Sequence, residues 1–281
     1  MNLQVNRRSH SIRRMRNVSG FFALAATGLI ATYVAIAGWV YWRQEALIFH
    51  PTPLNADYRF AVPDVTEVRI PVDGATLSAL HFKQAKPKGV VFFLHGNAGN
   101  LESWVTSVDF YRRINYDLFI IDFRGFGKST GHIESEAQLH HDVAQAWAFI
   151  APQYAGKKWV VVGRSLGTGL AAKFSIAAKF DLTVLISPYL SLNAMAQERY
   201  PWLPSALNRY PMRSDEWLPK INTPVLILHG AMDGVIPLVQ GEALARTRPH
   251  TDLIVVPNAG HNDIHKFPLY LDNLSARLIA L

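Results

Sequence analysis

The sequence predicts a doubly wound α/β domain, a mostly parallel sheet with helices on both faces, preceded by one apolar N-terminal segment. Six short runs of apolar, largely β-branched residues alternate along the chain with segments of helical length. Strands that are buried on both faces of a parallel sheet have this nearly continuous apolar composition. Alternation of such strands with helices is typical of βαβ units, which place the strands parallel. The fold class follows from these two observations together.

The individual elements can be assigned in order. Residues 65–70 and 76–82 flank Asp73-Gly74, a tight-turn signal, so an antiparallel hairpin should open the domain. Parallel strands are predicted at 90–94, 118–121, 159–162, 182–186, 225–228 and 253–256. Helices are predicted near 101–114, 134–150, 166–179, 238–246 and 264–280. The stretch 188–220 is extra to this alternation, and we expect it to form a short cap insertion over the carboxyl edge of the sheet, where ligands bind in such folds.

Length, charge and cysteine content exclude several classes of protein. A chain of 281 residues with 49% hydrophobic residues can bury the core of one full domain. The formal net charge is +7, but five arginines lie in the first nineteen residues, which leaves only +2 for the rest. Nucleic-acid partners are therefore not expected, since they require a basic face. The absence of cysteine from the sequence excludes disulfides, thiol nucleophiles and cysteine metal sites.

Residues 20–42 are predicted to form one transmembrane helix. They are 23 residues without a charge, about 34 Å long as a helix, against a hydrocarbon core of roughly 30 Å. A buried helix of a soluble domain is rarely apolar on every side, and Trp39, Tyr41 and Trp42 lie where an interfacial aromatic belt would be. Ala35-Ile36-Ala37 resembles a signal-peptide cleavage site, but the apolar stretch exceeds the usual length of about 7–15 residues.

The charges beside this segment predict its orientation. Residues 1–19 carry the five arginines and no carboxylate, so the positive-inside rule places them in the cytoplasm as a basic tail. We expect residues 43–59 to be a linker and 60–281 to be the α/β domain. That domain should face the non-cytoplasmic side, either periplasmic or extracellular.

Three polar residues follow different predicted strands in an order that is typical of nucleophilic catalysis. Ser165 lies in Gly163-Arg164-Ser165-Leu166-Gly167, a G-x-S-x-G turn that holds a serine hydroxyl clear of the backbone. Asp233 follows the strand at 225–228, and His261 follows the strand at 253–256. Taken alone, each of them is compatible with an ordinary turn or loop. Because their order is Ser, Asp, His and all follow strand ends, we expect a catalytic triad.

Acyl transfer also requires donors for the oxyanion that forms in the reaction. These usually are the amide after the nucleophile and an amide from the loop after an early strand. We assign the amides of Leu166 and Asn97, with Gly96 allowing close approach of the backbone to substrate. His261 and His265 lie four residues apart, but no third metal ligand is evident in the sequence, so we expect no metal site.

Several motifs together resemble a known family over residues 60–281. They are HGNAGN, DFRGFGKSTG, GRSLG, SPYLSL, HGAMDGVIP and GHND. The ordered set resembles the α/β-hydrolase superfamily, and more closely its membrane-anchored branch related to bud-emergence proteins and to abhydrolase-domain lipid hydrolases and depalmitoylases. The resemblance implies the α/β-hydrolase fold and a serine hydrolase without metal or cofactor. Relatives commonly have glutamine or histidine at the position of Arg164.

The expected activity is hydrolysis of carboxylic esters or thioesters by a membrane-anchored enzyme, with lipids or acylated molecules as candidate substrates. Substrate contacts are expected from Gly96, Arg164, Tyr189 and Trp202. A serine peptidase of the aminopeptidase type is one alternative, although basic residues outnumber acidic ones in 188–220. A non-catalytic binding protein on the same fold is another, and its usual signature would be a missing triad residue.

Overall fold

The computed structural model describes residues 5–105 and 108–281, with side chains described from residue 21 onward. Within these residues one eight-stranded sheet has the order β1-β2-β4-β3-β5-β6-β7-β8. The strands are β1 (Val65–Val72), β2 (Ala75–Phe82), β3 (Gly89–Leu94), β4 (Tyr116–Ile121), β5 (Lys158–Arg164), β6 (Leu182–Ile186), β7 (Val225–Gly230) and β8 (Asp252–Val256).

Strand pairing confirms the predicted fold class. β2 pairs antiparallel with both β1 and β4, while every other neighbouring pair is parallel. Alternate residues of β3 enter different cores: Phe92 belongs to the cluster on one face of the sheet, and Val91 and Phe93 belong to the cluster on the other. The strands are apolar because both faces are covered. Parallel pairing also brings the carboxyl ends of β3 and β5–β8 to one edge.

Helices occur in all five stretches where the sequence predicts them, and others precede β1 or lie in the insertion. They are α1 (Val5–Trp42), α2 (Gln44–Ile48), α3 (Leu101–Trp104), α4 (Val108–Arg113), α5 (Glu136–Ile150), α6 (Leu166–Ala177), α7 (Leu192–Arg199), α8 (Ser214–Trp217), α9 (Leu238–Arg246) and α10 (Pro268–Ile279). The predicted helix 101–114 corresponds to α3 and α4, and residues 106–107 between them lie outside the described part. The last helix begins at Pro268, four residues later than the predicted start at 264, because residues 264–266 form a 3-10 turn.

The insertion between β6 and β7 contains α7, α8 and two short 3-10 turns. Its second half is tied to the core, where Tyr210 and Met212 are fully buried and Lys173 of α6 lies over the Trp217 ring. Its first half is more open, and Tyr200 and Trp202 are about half exposed. The insertion is therefore partly a core element and partly a surface element.

The chain divides into two compact units, one ending at Leu47 and one formed by Ile48–Leu281. The first contains α1, in which Phe21–Trp42 is long and apolar enough to be a membrane anchor or a signal sequence. The predicted basic tail lies outside the described side chains. The second unit begins twelve residues before the predicted domain start at 60, because residues 48–54 are hydrogen-bonded to its loops.

Candidate active site

Ser165 occupies a sharp turn between β5 and α6. Its backbone has φ +51° and ψ −119°, a left-handed conformation that costs energy for a residue with a side chain. The hydroxyl bonds to His261 instead of capping α6. The side chain is 9% exposed. The turn thus holds one hydroxyl at the carboxyl edge of the sheet in a constrained orientation.

Two glycines make this turn possible. A Cβ on Gly163 would lie 2.4 Å from the carbonyl oxygen of Gly167, and a Cβ on Gly167 would lie 2.1 Å from the carbonyl oxygen of Leu94. Both distances are far below van der Waals contact. The glycines of G-x-S-x-G therefore allow α6 to start directly against β3 and β5.

His261 joins Ser165 to Asp233. Its Nε2 lies 3.1 Å from Ser165 Oγ, and its Nδ1 lies 2.8 Å from Asp233 Oδ2. An ionised carboxylate only accepts hydrogen bonds, so Nδ1 carries the proton and Nε2 is left as the acceptor for the serine hydroxyl. This is the tautomer in which a histidine removes a proton from serine.

Asp233 is fixed by the turn that follows β7. Its Oδ1 accepts from the amides of Val235 (3.0 Å) and Ile236 (2.8 Å), and its side chain is fully buried. Burial alone would raise the pKa of this carboxyl group, but the hydrogen bonds from His261 and from the Ile236 amide outweigh it and lower the pKa below its usual value. Asp233 is therefore ionised at neutral pH and faces the imidazole.

A second histidine supports the same turn. His229 is fully buried, and its Nε2 lies 2.9 Å from the Ile236 carbonyl oxygen and 3.6 Å from Asp233 Oδ2. Burial lowers the pKa of His229, so the ring is neutral and donates from Nε2 to the carbonyl. His229 thereby helps to hold the turn that carries Asp233.

Arg164 and Asp263 hold the loop that carries His261. Arg164 donates from its guanidinium to the His261 carbonyl (3.0 Å), and the Asp263 carboxylate accepts from the Gly260 amide (2.7 Å). Arg164 also lies over the Trp104 ring, 5.2 Å from its centroid. Sequence reasoning did not find the contact between Arg164 and His261, since these residues are far apart in the chain and no local pattern joins them.

The loop after β3 lies directly against the serine turn. A Cβ on Gly96 would be 3.2 Å from the Ser165 Cβ and 2.8 Å from the Trp104 ring, so a larger residue would have to displace one of these side chains where the two segments meet. Asn97 follows in this loop, and Leu166 is the first residue of α6. Amides in the first turn of a helix have no partner within the helix. The two amides predicted to bind an oxyanion therefore belong to adjoining segments.

The other predicted substrate contacts differ in accessibility. Tyr189 is 1% exposed, and its hydroxyl donates to the Leu166 carbonyl (3.0 Å), so it supports the start of α6. Arg164 is buried against the His261 loop. Trp202, in the insertion, is 50% exposed. Gly96, Arg164, Tyr189 and Trp202 all remain predictions as substrate contacts.

Comparison with known proteins places the chain in a family. Residues 85–217 match the family described as serine aminopeptidase, S33. The human α/β-hydrolase domain-containing protein 17B is 32% identical over 200 residues, which cover 66% of this chain and 65% of that protein. An esterase structure from Pyrococcus furiosus superimposes with a TM-score of 0.66 at 19% identity, covering 82% of this chain and 97% of that one. The chain belongs to the α/β-hydrolase superfamily.

Membership confirms the predicted superfamily and the resemblance to its α/β-hydrolase-domain branch, and it identifies the chain as a hydrolase. An uncharacterized protein of Mycobacterium tuberculosis is similar over a longer range, with 28% identity over 265 residues, 90% of this chain and 91% of that protein. Across the described residues, no group of three histidine, aspartate or glutamate side chains is arranged to hold a metal ion.

Proposed function

We propose that this hydrolase cleaves carboxylic esters or thioesters through a catalytic triad of Ser165, His261 and Asp233. The observation that carries the proposal is the position of His261, which is hydrogen-bonded to the serine hydroxyl on one side and to the carboxylate on the other. The strained backbone of Ser165 and the ionised state of Asp233 agree with it. A serine hydroxyl, a histidine and a carboxylate linked in this order are the arrangement that activates a weak serine nucleophile.

The proposed reaction uses these three side chains. Ser165 Oγ attacks the acyl carbonyl carbon while His261 Nε2 takes its proton, and Asp233 stabilises the resulting imidazolium. His261 returns this proton to the leaving alcohol or thiol as its bond to the acyl carbon breaks. Water, deprotonated by the same nitrogen, then attacks the acyl carbon, and as the bond from this carbon to Ser165 Oγ breaks, His261 returns the proton to Oγ and the acid is released. The chain's own side chains perform every proton transfer.

The amides of Asn97 and Leu166 would stabilise the oxyanion of the tetrahedral intermediate. They lie on the two segments that meet at Gly96 and Ser165. One donor of this kind contributes about 2.7–4 kcal/mol to the transition state. Both are backbone groups, so truncating a side chain does not remove them, and the fold keeps them in place.

Lipids or acylated molecules are the substrates that we propose, with the enzyme anchored by α1. The apolar span Phe21–Trp42 supports anchoring, and the arginines of residues 1–19 support a cytoplasmic N-terminus with the catalytic domain on the other side. Exposed apolar side chains flank Asp233 in the chain, at Met232 and Val235, and Val239 follows at the start of α9. An acyl chain arriving from a bilayer would meet apolar surface there.

A peptidase of the aminopeptidase type is the second candidate, favoured by the description of the matching family. It would need a free carboxylate in the insertion to hold the substrate ammonium group. Each of the three carboxylates of 188–220 already has a side-chain partner: Asp215 and Glu216 pair with Arg213, and Glu198 accepts from Gln240. These contacts favour ester over peptide substrates.

The test compares one acyl group in three linkages. Purified full-length protein in detergent is assayed with an octanoyl ester, an octanoyl thioester and an octanoyl amide, beside its Ser165→Ala variant. We expect ester and thioester turnover that the variant lacks, with little amide turnover. Preferential amide cleavage would support the peptidase, and absence of all three activities from folded protein would support a binding role.

A further inference from the structure

The segment Ile48–Leu54, which we term the strap, runs from the end of α2 along two loops of the hydrolase unit. The amide of Thr52 donates to the Gly99 carbonyl (3.0 Å), and the side-chain amide of Asn100 donates to the Thr52 carbonyl (3.0 Å). Further along, Gly127 donates to the Thr52 carbonyl (3.2 Å), and Leu54 donates to the Gly127 carbonyl (2.8 Å). The strap is thereby attached to the oxyanion loop, residues 96–100, and to the loop after β4.

The Asn97 side chain makes a further attachment, at the start of the strap. Its Oδ1 accepts from the amide of His50 (3.0 Å), and its Nδ2 donates to the Ile48 carbonyl. The carboxamide thus pairs with the backbone of the strap as a neighbouring strand would. The same Oδ1 also accepts from the Ala98 amide (3.0 Å), within the oxyanion loop itself. The strap is therefore bonded directly to Asn97, the residue whose backbone amide we assign to the oxyanion.

The sequence of the strap fits this attachment. Backbone amides donate from alternate residues, His50, Thr52 and Leu54, which is the period of an extended chain. Pro51 and Pro53 occupy the intervening positions and form parallel bridges to Gly99 and Gly127. Proline has no amide hydrogen, and its fixed φ favours an extended chain. The prolines therefore stiffen the strap without removing any donor that it uses.

Phe49 fixes the strap to the core. It is 5% exposed and packs edge-on against Tyr210 of the insertion, with ring centroids 5.1 Å apart. The neighbouring His50 side chain is exposed. The strap thus contacts the oxyanion loop, the loop after β4 and the insertion, although the sequence alone suggested only a linker.

We propose that the strap is a positioning element of the active site, which holds the Asn97 amide in register for the oxyanion. This inference rests on the proposed serine-hydrolase function. In this proposal the strap contributes no group to the reaction, and it positions the Asn97 amide and not Ser165, His261 or Asp233. It makes the first residues of the hydrolase unit a structural part of the oxyanion site, so catalysis depends on residues that precede the first strand of the sheet.

A proline substitution at position 50 tests this, because it removes one backbone donor and replaces only an exposed side chain. His50→Pro deletes the amide hydrogen that Asn97 accepts, in a strap that already accommodates two prolines, while His50→Ala retains it and serves as the matched control. Full-length protein in detergent is assayed on the octanoyl ester. A misplaced oxyanion donor should lower kcat of His50→Pro by about tenfold or more, with KM changed by less than about threefold.

Asn97→Ala should lower kcat to a similar extent, and the double variant should be no worse than the worse single one, since both remove the same contact. The pH dependence of kcat/KM should be unchanged in all of them, because the triad is not altered. Wild-type kcat in folded His50→Pro, equal losses in His50→Pro and His50→Ala, or a shifted pH profile would overturn the inference and leave the function standing. An inactive wild-type protein would overturn both.

Discussion

The hydroxyl of Ser165 is reactive, in our account, because His261 accepts its proton and Asp233 fixes the histidine tautomer. The carboxylate is ionised and accepts from two backbone amides, so it cannot rotate away from the imidazole. Arg164 adds a bond to the His261 carbonyl from the residue that precedes the serine. Nucleophile and base are therefore connected through both side-chain and backbone contacts.

Asp233→Asn tests the role of the carboxylate. An asparagine of the same shape retains an acceptor for the Val235 and Ile236 amides but no longer stabilises the His261 tautomer or the imidazolium. We expect kcat for ester hydrolysis to fall by roughly 10⁴-fold with the fold retained. Asp252→Asn, which removes a surface carboxylate paired with Arg277, is the control and should keep wild-type kcat. A loss below about tenfold in folded Asp233→Asn would contradict the assigned role.

Among single residues, those that lie in local sequence patterns could be predicted. Ser165, Asp233 and His261 were predicted because each follows a strand in a recognisable turn, and the structure brings them within hydrogen-bond distance. The partners of Arg164 and of the Asn97 side chain were not predicted. Those contacts join segments 97 and 49 residues apart, and nothing in a single sequence specifies which distant backbone group will lie there.

The strand-turn-helix from β5 to α6 is the element on which the site depends. Its close packing explains why both outer positions of G-x-S-x-G are glycine. Alanine usually favours a helix over glycine by about 1 kcal/mol. At Gly167 the steric conflict with the Leu94 carbonyl should reverse that preference, since backbone cannot move aside as a flexible side chain can.

Gly167→Ala is therefore expected to destabilise the fold by at least about 2 kcal/mol, because the added Cβ overpacks a backbone contact. Gly234→Ala, beside Asp233, is the matched control, since a Cβ there meets nothing within 4 Å. Chemical denaturation of the two variants in parallel measures the difference in free energy of unfolding. Equal stabilities would show that α6 does not pack on β3 as closely as described.

The parallel strands were the most predictable elements, because burial on both faces leaves a continuous apolar run. β6 was predicted with the bounds that the structure has. The segment 48–54 was less predictable. It is short, contains two prolines and has no regular apolar pattern, and it is held by hydrogen bonds to Gly99, Asn97 and Gly127 that are set by the tertiary fold.

For the molecule as a whole, the central expectation is an anchored enzyme with its two ends on opposite sides of a membrane. The chain has no cysteine, so single introduced cysteines report sidedness without background. Ser205→Cys lies in an exposed turn of the insertion, and Ser9→Cys lies in the basic tail. On spheroplasts of an expressing bacterium, a membrane-impermeant maleimide should label Ser205→Cys directly and Ser9→Cys only after lysis.

The reverse labelling pattern would invert the proposed orientation. A soluble, shortened product would instead identify the apolar helix as a cleaved signal sequence, which its length and composition also fit. Either result concerns the location of the enzyme and leaves its chemistry to a separate measurement.

The most direct test of the central claim is intact-mass analysis of the full-length protein after treatment with a fluorophosphonate, which reacts with activated serines. The account predicts one adduct on the wild-type protein, its loss in Ser165→Ala, and its retention in Ser205→Ala, which changes an exposed serine. Folded wild-type protein that forms no adduct, or an adduct that persists in Ser165→Ala, would contradict the claim that Ser165 is the nucleophile.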